Sequence, residues 1–199
     1  MKNINFLVVG VGGQGTVLSS DILAEVGMAA GYDSKKSDVL GLAIRGGSVV
    51  SHVRWGSKVN APMSMKGKVD YLLAFEPLEA MRTVEYLNQN STAIVNEYRI
   101  PPVVVTTGNA KYPSAQEIRQ ALTSSAKKVF SINATEKAKE LGNVRVVNIL
   151  LLGALSSICG ISPSIWEEVI RKYVPKRFSE INLLAFEAGR ELISKQFKR

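Results

Sequence analysis

Cysteine and histidine occur once each, as Cys159 and His52, in a chain of 199 residues. One cysteine excludes an internal disulfide, and the two residues together are too few for an iron–sulfur cluster or a zinc site of the Cys/His type. Any redox metal must belong to a partner. Long apolar runs are missing as well: none approaches the roughly 18 residues that cross a membrane, so no membrane role is expected. The opening Met-Lys-Asn lacks the basic and apolar regions of a secretory signal, and a cytoplasmic location is expected. Acidic residues are outnumbered, 17 against 25 basic ones, for a net charge of +8. The excess is concentrated at one end, where residues 171–199 carry eight basic and three acidic side chains. These positions read as a C-terminal helix and tail without interleaved aromatics or a nucleic-acid motif. A solvated or partner-facing surface is the reading, with no nucleic acid; a groove for an acidic cofactor is compatible.

What is present is concentrated in the first fifteen residues. The apolar run Ile4, Phe6, Leu7, Val8, Val9 leads directly into Gly10-Val11-Gly12-Gly13-Gln14-Gly15. A buried strand, a turn nearly free of side chains and a helix starting near Gln14 would gather free backbone N–H groups and a positive helix end at one point, which is the outline of an anion site. Gly10, Gly12 and Gly15 satisfy G-x-G-x-x-G spacing. The spacing equally serves a tight strand-to-helix turn with no ligand.

The first helix is expected over 14–30, from Val17, Leu18, Ile22, Val26 and Ala29 at helical spacing, with Gly31 as its stop. A fold that binds NAD places an acid about 20 residues beyond the last glycine, at the end of the second strand. Lys35 and Lys36 occupy that neighbourhood, and two lysines suit a phosphate better than a ribose hydroxyl; they are otherwise ordinary surface charges. Next comes the loop Gly41-Leu42-Ala43-Ile44-Arg45-Gly46-Gly47-Ser48, leading into a strand from Val49 to Trp55. Gly56-Ser57 reads as a two-residue turn that returns through Lys58 to Ala61, an inserted antiparallel hairpin.

Val69 to Phe75 reads as a buried parallel strand, and Pro77 opens a helix carrying Leu78, Met81, Val84 and Leu87. A strand follows at 92–96, and prolines make 100–105 extended. Ser114-Ala115-Gln116-Glu117 has capping-box spacing. Another strand is expected at 128–132 and a short helix at 135–141. The segment 144–158 is apolar all round, hence central or partner-covered, and helices are expected at 163–173 and 178–195. The fold class is α/β: a Rossmann-like three-layer sandwich, mostly parallel, with an inserted antiparallel hairpin and a helical C-terminal third, forming one domain over 1–199.

Three motifs taken together resemble one family closely: Gly10-x-Gly12-Gly13-Gln14-Gly15, the run Arg45-Gly46-Gly47-Ser48-Val49-Val50-Ser51-His52-Val53-Arg54, and Leu73-Ala74-Phe75-Glu76-Pro77-Leu78-Glu79-Ala80. It is the gamma-subunit (or equivalent domain) family of thiamine-diphosphate-dependent 2-oxoacid:acceptor oxidoreductases, which includes the beta subunit of indolepyruvate oxidoreductase. Further echoes at 148–155 and at Asn182-Leu183-Leu184-Ala185-Phe186-Glu187-Ala188-Gly189 extend the likeness over nearly the whole chain. The family often has a histidine and a glutamine ahead of Arg-Gly-Gly; here Leu40 and Ile44 make that loop less polar.

The resemblance implies oxidative decarboxylation of a 2-oxoacid, with coenzyme A taking the acyl group and a ferredoxin-like carrier taking electrons. It implies partner subunits holding thiamine diphosphate, Mg2+ and iron–sulfur clusters, and a heteromeric complex; an isolated chain is compatible with a homodimer. No catalytic constellation and no metal-ligand set is evident, so activity by this chain alone is not expected. The candidate cofactor-binding residues are Gly10, Gly12, Gly13, Gln14, Gly15, Arg45, Gly46 and Gly47, with coenzyme A as the anion, and Lys35 and Lys36 for its extra phosphate. Arg45 serves as well in an inter-subunit salt bridge, His52 in a cross-strand or interface hydrogen bond, and Cys159 as a small core residue. Two other functions stand against the family reading: a self-sufficient NADP-type dinucleotide-binding oxidoreductase, and a basic interaction module without cofactor.

Overall fold

The computed structural model describes residues 2–41 and 46–197. Strand β1 (Ile4–Val11) is followed by α1 (Thr16–Ala29), β2 (Asp33–Leu40) and β3 (Ser48–Gly56). Then come β4 (Tyr71–Ala74), α2 (Pro77–Arg82), β5 (Thr92–Asn96), α3 (Val103–Thr106), α4 (Ala115–Ser125) and β6 (Lys128–Ile132). The last third is helical: α5 (Ala134–Glu140), α6 (Val147–Ser156), α7 (Pro163–Tyr173) and α8 (Ser179–Phe197).

The strands form a single sheet of order β2-β3-β1-β4-β5-β6. Strands β1, β4, β5 and β6 are mutually parallel, and β3 runs antiparallel between β1 and β2. Covered on both faces, β1 has no polar side: Phe6 and Val8 join a core with α1 and the C-terminal helices, while Leu7 and Val9 join a second core under α2 and α4. This is the three-layer α/β architecture that the sequence predicts. Helix α6 is buried from Ile149 to Leu155, which explains its lack of a polar stripe. Among the described residues no helix is long and apolar enough to cross a membrane.

Two local expectations are corrected. The antiparallel ribbon is formed by β2 and β3, with Asp33 opposite Gly56 and Leu40 opposite Val49; no strand follows at 58–61. A β3 buried on both faces needs neighbours on both edges, and the long alternating segment after α1 supplies the second. The segment 100–105 is extended only as far as its prolines. Pro102, at φ −62° and ψ 159°, caps the single helical turn α3, because a proline cannot sit inside a helix but readily precedes one.

The connection from β1 through α1 leads towards the β2 edge, whereas that from β4 through α2 leads to β5 on the other side and across the opposite face. The chain thus reverses its winding between β1 and β4. In open α/β sheets the crevice beyond the carboxyl ends of the strands at such a point is where ligands bind.

Candidate functional site

The glycine loop occupies this place. Gly13 (φ +104°) and Gly15 (φ +86°, the N-cap of α1) adopt left-handed backbone that side chains resist. Gly10 answers a different need. A Cβ there would lie 2.7 Å from Thr16 Oγ1, 2.8 Å from Phe75 Cβ and 2.9 Å from Gln14 Oε1, so glycine is what lets the start of α1 close onto the strand end. Gly12 laces two loops together: its N–H donates to the Gly47 carbonyl at 2.8 Å, and Gly46 N–H donates to the Gly12 carbonyl at 3.3 Å. The predicted residues Gly10, Gly12, Gly13, Gln14, Gly15, Gly46 and Gly47 therefore meet at one place. Arg45 lies outside the described residues.

Gln14 turns inward. Val11 N–H donates to its Oε1 at 2.7 Å and its Nε2 donates to the Phe75 carbonyl at 3.2 Å. Both polar ends of the side chain are thereby engaged across the β1–β4 crevice. The Phe75 carbonyl also accepts from Asn96 Nδ2 at 3.2 Å, which carries the brace on to β5.

The Phe75-Glu76-Pro77 motif has a matching structural cause. Glu76, 0% exposed, caps α2 by accepting from Glu79 N–H at 3.0 Å, while its Oε1 accepts from Ile100 N–H at 3.2 Å and from the Tyr112 hydroxyl. Burial and that carboxylate together push the Tyr112 phenol well above its usual range. Glu79, also buried, pairs with Arg82 at 2.6 Å and accepts from Ser48 Oγ. Ser48 follows Gly47 directly, so the three motifs read as separate stretches of sequence touch one another.

On the β2–β3 side of the glycine loop lies a cavity of about 460 Å³, walled by Gly13, Gly15 and Thr16 and by the apolar Val11, Val17, Leu40 and Val49. Thr16 is 3% exposed and its Oγ1 has no hydrogen-bond partner. Among the described residues the N–H groups of Gly13 and Gly15 meet no acceptor. No acidic side chain stands in the first turn of α1, so the positive helix end is uncompensated. Unsatisfied donors at a helix N-terminus beside a roomy cavity suit an anionic group. Thr16 went unread in the sequence, although a hydroxyl at the first helical position after a glycine turn is itself a phosphate-loop feature.

Other candidates fall elsewhere. Lys36 lies mid-strand in β2, bound to Asp21 and, at 2.9 Å, to Asp38. Burial works against its charge, but these two carboxylates outweigh it and hold its pKa above the usual value. Asp38 accepts from Ser51 Oγ at 2.6 Å as well. Lys35 pairs with Asp33 at 3.4 Å. Lys35 and Lys36 stand opposite Arg54 and Val53, short of the strand end at Leu40 that walls the cavity, so they take the alternative reading of ordinary charges away from the glycine loop. His52 is 1% exposed, accepts from Ser64 N–H through Nδ1 at 3.3 Å, and has its pKa lowered by burial. Burial raises the Cys159 thiol to about 11, leaving an inert core residue. Among the described residues no group of His, Cys, Asp or Glu is arranged to hold a metal.

Over residues 5–192 the sequence matches the family model described as pyruvate ferredoxin/flavodoxin oxidoreductase. The chain belongs to this family. It is 38% identical over 192 residues to indolepyruvate oxidoreductase subunit IorB of Pyrococcus horikoshii, covering 95% of each. Among solved structures it resembles the gamma subunit of a keto/oxoacid ferredoxin oxidoreductase from Geobacter sulfurreducens, with a TM-score of 0.70, 25% identity and coverage of 98% and 99% of the two chains. It also shares the fold of part of 2-oxoglutarate:ferredoxin oxidoreductase from Magnetococcus marinus, at a TM-score of 0.78 and 22% identity, covering 98% of this chain and 32% of that one. The pyruvate ferredoxin/flavodoxin oxidoreductase family thus accounts for all three motifs at once, and its relatives named here are oxidoreductases or subunits of them.

Proposed function

We propose that the chain, as a single domain over 1–199, is the gamma-type subunit of a thiamine-diphosphate-dependent 2-oxoacid:ferredoxin oxidoreductase complex. In the overall reaction a 2-oxoacid and coenzyme A yield acyl-CoA, CO2 and a proton, and two electrons pass to a ferredoxin-like acceptor. Thiamine diphosphate, Mg2+ and iron–sulfur clusters belong to the partner subunits on this reading, since the chain's own cysteine count leaves no place for a cluster. Its part is to wall the coenzyme A site and to complete the subunit interface.

The observation that carries the coenzyme A assignment is the pair of donors without acceptors at the start of α1: the N–H groups of Gly13 and Gly15, two residues that wall one cavity. Such donors fit a phosphate oxygen, and the apolar Val17, Leu40 and Val49 fit the less polar part of the cofactor. The Magnetococcus relative was solved with coenzyme A bound, which supports the choice of anion. Gly12 lines the same cavity, Gly10, Gly46, Gly47 and Gln14 brace this wall, and Arg45, which precedes Gly46 in the sequence, would add its charge. Calorimetry of coenzyme A on the assembled complex tests the reading. Gly13→Ala strains the positive φ (+104°) that aims the donors and adds a methyl where nothing lies within 4 Å; it should weaken binding about tenfold, with Arg45→Ala giving a loss of similar size. Unchanged affinity in both variants overturns it.

A further inference from the structure

A second cavity, of about 380 Å³, opens between α4 and the β5–β6 end of the sheet. It shares no residue with the glycine-loop cavity. Its floor is apolar: Val95, Ile118 and Leu122 are buried, and Val129 is partly so. Its rim carries Arg99, Arg119 and Glu97, all exposed. Among the described residues the arginine ion pairs are those of Arg82 and Arg190; Arg99 and Arg119 have none. Two guanidinium groups against one carboxylate leave the rim with a single excess positive charge.

Arg99 is also held in place. Its guanidinium carbon lies 5.4 Å from the centroid of the Tyr112 ring, and the Tyr112 hydroxyl donates to Glu76, which is fully buried and fixed as the cap of α2. The ring is anchored at its far end, so the stacked arginine starts from a defined position. Stacking uses the face of a guanidinium and leaves its N–H edge free for a planar anion. Arg119 projects from α4, whose start is fixed by the Ser114–Glu117 capping box. An apolar floor under an ordered arginine rim with one charge in excess is matched by a compact apolar body bearing one negative charge.

We propose that this cavity binds a small amphipathic monoanion: a carboxylate with a compact apolar body, its body on the Val95–Ile118–Leu122–Val129 floor and its carboxylate at Arg99 and Arg119. The proposal is independent of the coenzyme A reading and of the glycine loop. The phosphate dianion exceeds the rim's net charge, and inorganic phosphate in either of its neutral-pH forms leaves the floor unused.

The test is titration of the full-length chain with phenylacetate, followed by calorimetry and by backbone amide NMR. Saturable binding at one site is expected, with shifts grouped at Val95, Ile118, Leu122 and Val129. Acetate and toluene, each half of the probe, should bind at least about tenfold more weakly, and inorganic phosphate likewise. Arg99→Ala and Arg119→Ala, both at exposed positions, should each weaken phenylacetate about tenfold. Tyr112→Phe frees the ring from Glu76 and should cost less than either arginine while leaving the floor shifts in place. The proposal is overturned by absence of saturable binding, by shifts elsewhere, by arginine variants with unchanged affinity, or by phosphate binding as tightly as phenylacetate.

Discussion

The Gln14 side-chain amide reaches across the crevice where the sheet reverses its winding and donates to the Phe75 carbonyl at 3.2 Å, tying the end of β1 to the end of β4. Its oxygen meanwhile accepts from Val11 N–H at 2.7 Å. A residue bound at both ends is a brace, and its loss should be felt first as stability. Gln14→Ala leaves the buried Val11 N–H without an acceptor, a cost of about 1–3 kcal/mol. Gln14→Glu keeps the Val11 bond but sets a carboxylate against the Phe75 carbonyl, and should be no more stable than the alanine variant. Urea unfolding followed by circular dichroism measures both. Wild-type stability in Gln14→Ala would return Gln14 to the role of a ligand-facing donor.

Helices α6 and α8 cross closely enough that a Cβ at Gly189 would stand 1.9 Å from the Leu150 carbonyl oxygen, and one at Gly153 would stand 2.0 Å from that of Phe186. The obstacles are backbone atoms on both sides, so no rotamer change relieves them. Gly189→Ala should cost about 3 kcal/mol, at the upper end for overpacking. Gly142→Ala, where nothing lies within 4 Å, should cost only the price of its positive φ (+85°), about 1 kcal/mol. Thermal melts of the two variants separate steric from conformational cost.

Most sheet strands, the capped helices α2 and α4 and the buried α6 were legible because each depends on local periodicity or on a cap residue close by. Ser114 and Glu117, for instance, form the capping box that their spacing announces. The position of β2 was not legible. Asp33 to Leu40 alternates weakly, with lysines and serines among few apolar residues, and its place beyond β3 is set by pairing with a strand some fifteen residues later. Its register sets Lys35 and Lys36 opposite Arg54 and Val53, while the strand end at Leu40 is what reaches the cavity. Within the site, the glycines were readable from spacing, but the partners of Gln14 and the empty valence of Thr16 depend on Phe75 and on the cavity, which only tertiary structure brings into place. Arg99 is 20 residues from Arg119 in sequence, so their shared rim left no motif to find.

His52 gives the chain an acid-sensitive point. It is buried, accepts a hydrogen bond from Ser64 N–H through Nδ1, and touches the edge of the Tyr86 ring at a centroid distance of 5.4 Å. Burial lowers its pKa below the free value of 6.5, so the unfolded chain takes up a proton first as pH falls. Its contribution is complete above about pH 6.5 and declines as pH drops from there through the lowered folded pKa. Urea midpoints should therefore fall between pH 7.5 and pH 5.5. His52→Asn, which retains a side-chain acceptor but cannot titrate there, should flatten this part of the profile; an equal slope in the variant would move the acid sensitivity to other groups.

Lys36 separates a structural cation from a cofactor-binding one. Its ammonium is enclosed by Asp21 and Asp38, and Asp38 is itself held by Ser51 and Ser20. A cation already paired twice gains little from a phosphate and would leave two carboxylates uncompensated by turning to one. Lys36→Ala should therefore cost stability, about 1 kcal/mol for a partly exposed pair, and leave coenzyme A affinity of the assembled complex within about twofold of wild type. Asp38→Asn should show a stability loss of the same order, and the double variant should lose less than the two singles together, because both disrupt one ion pair. A tenfold loss of affinity in Lys36→Ala with little change in stability would reverse the assignment, placing the ammonium on the cofactor and making Asp21 and Asp38 its resting partners.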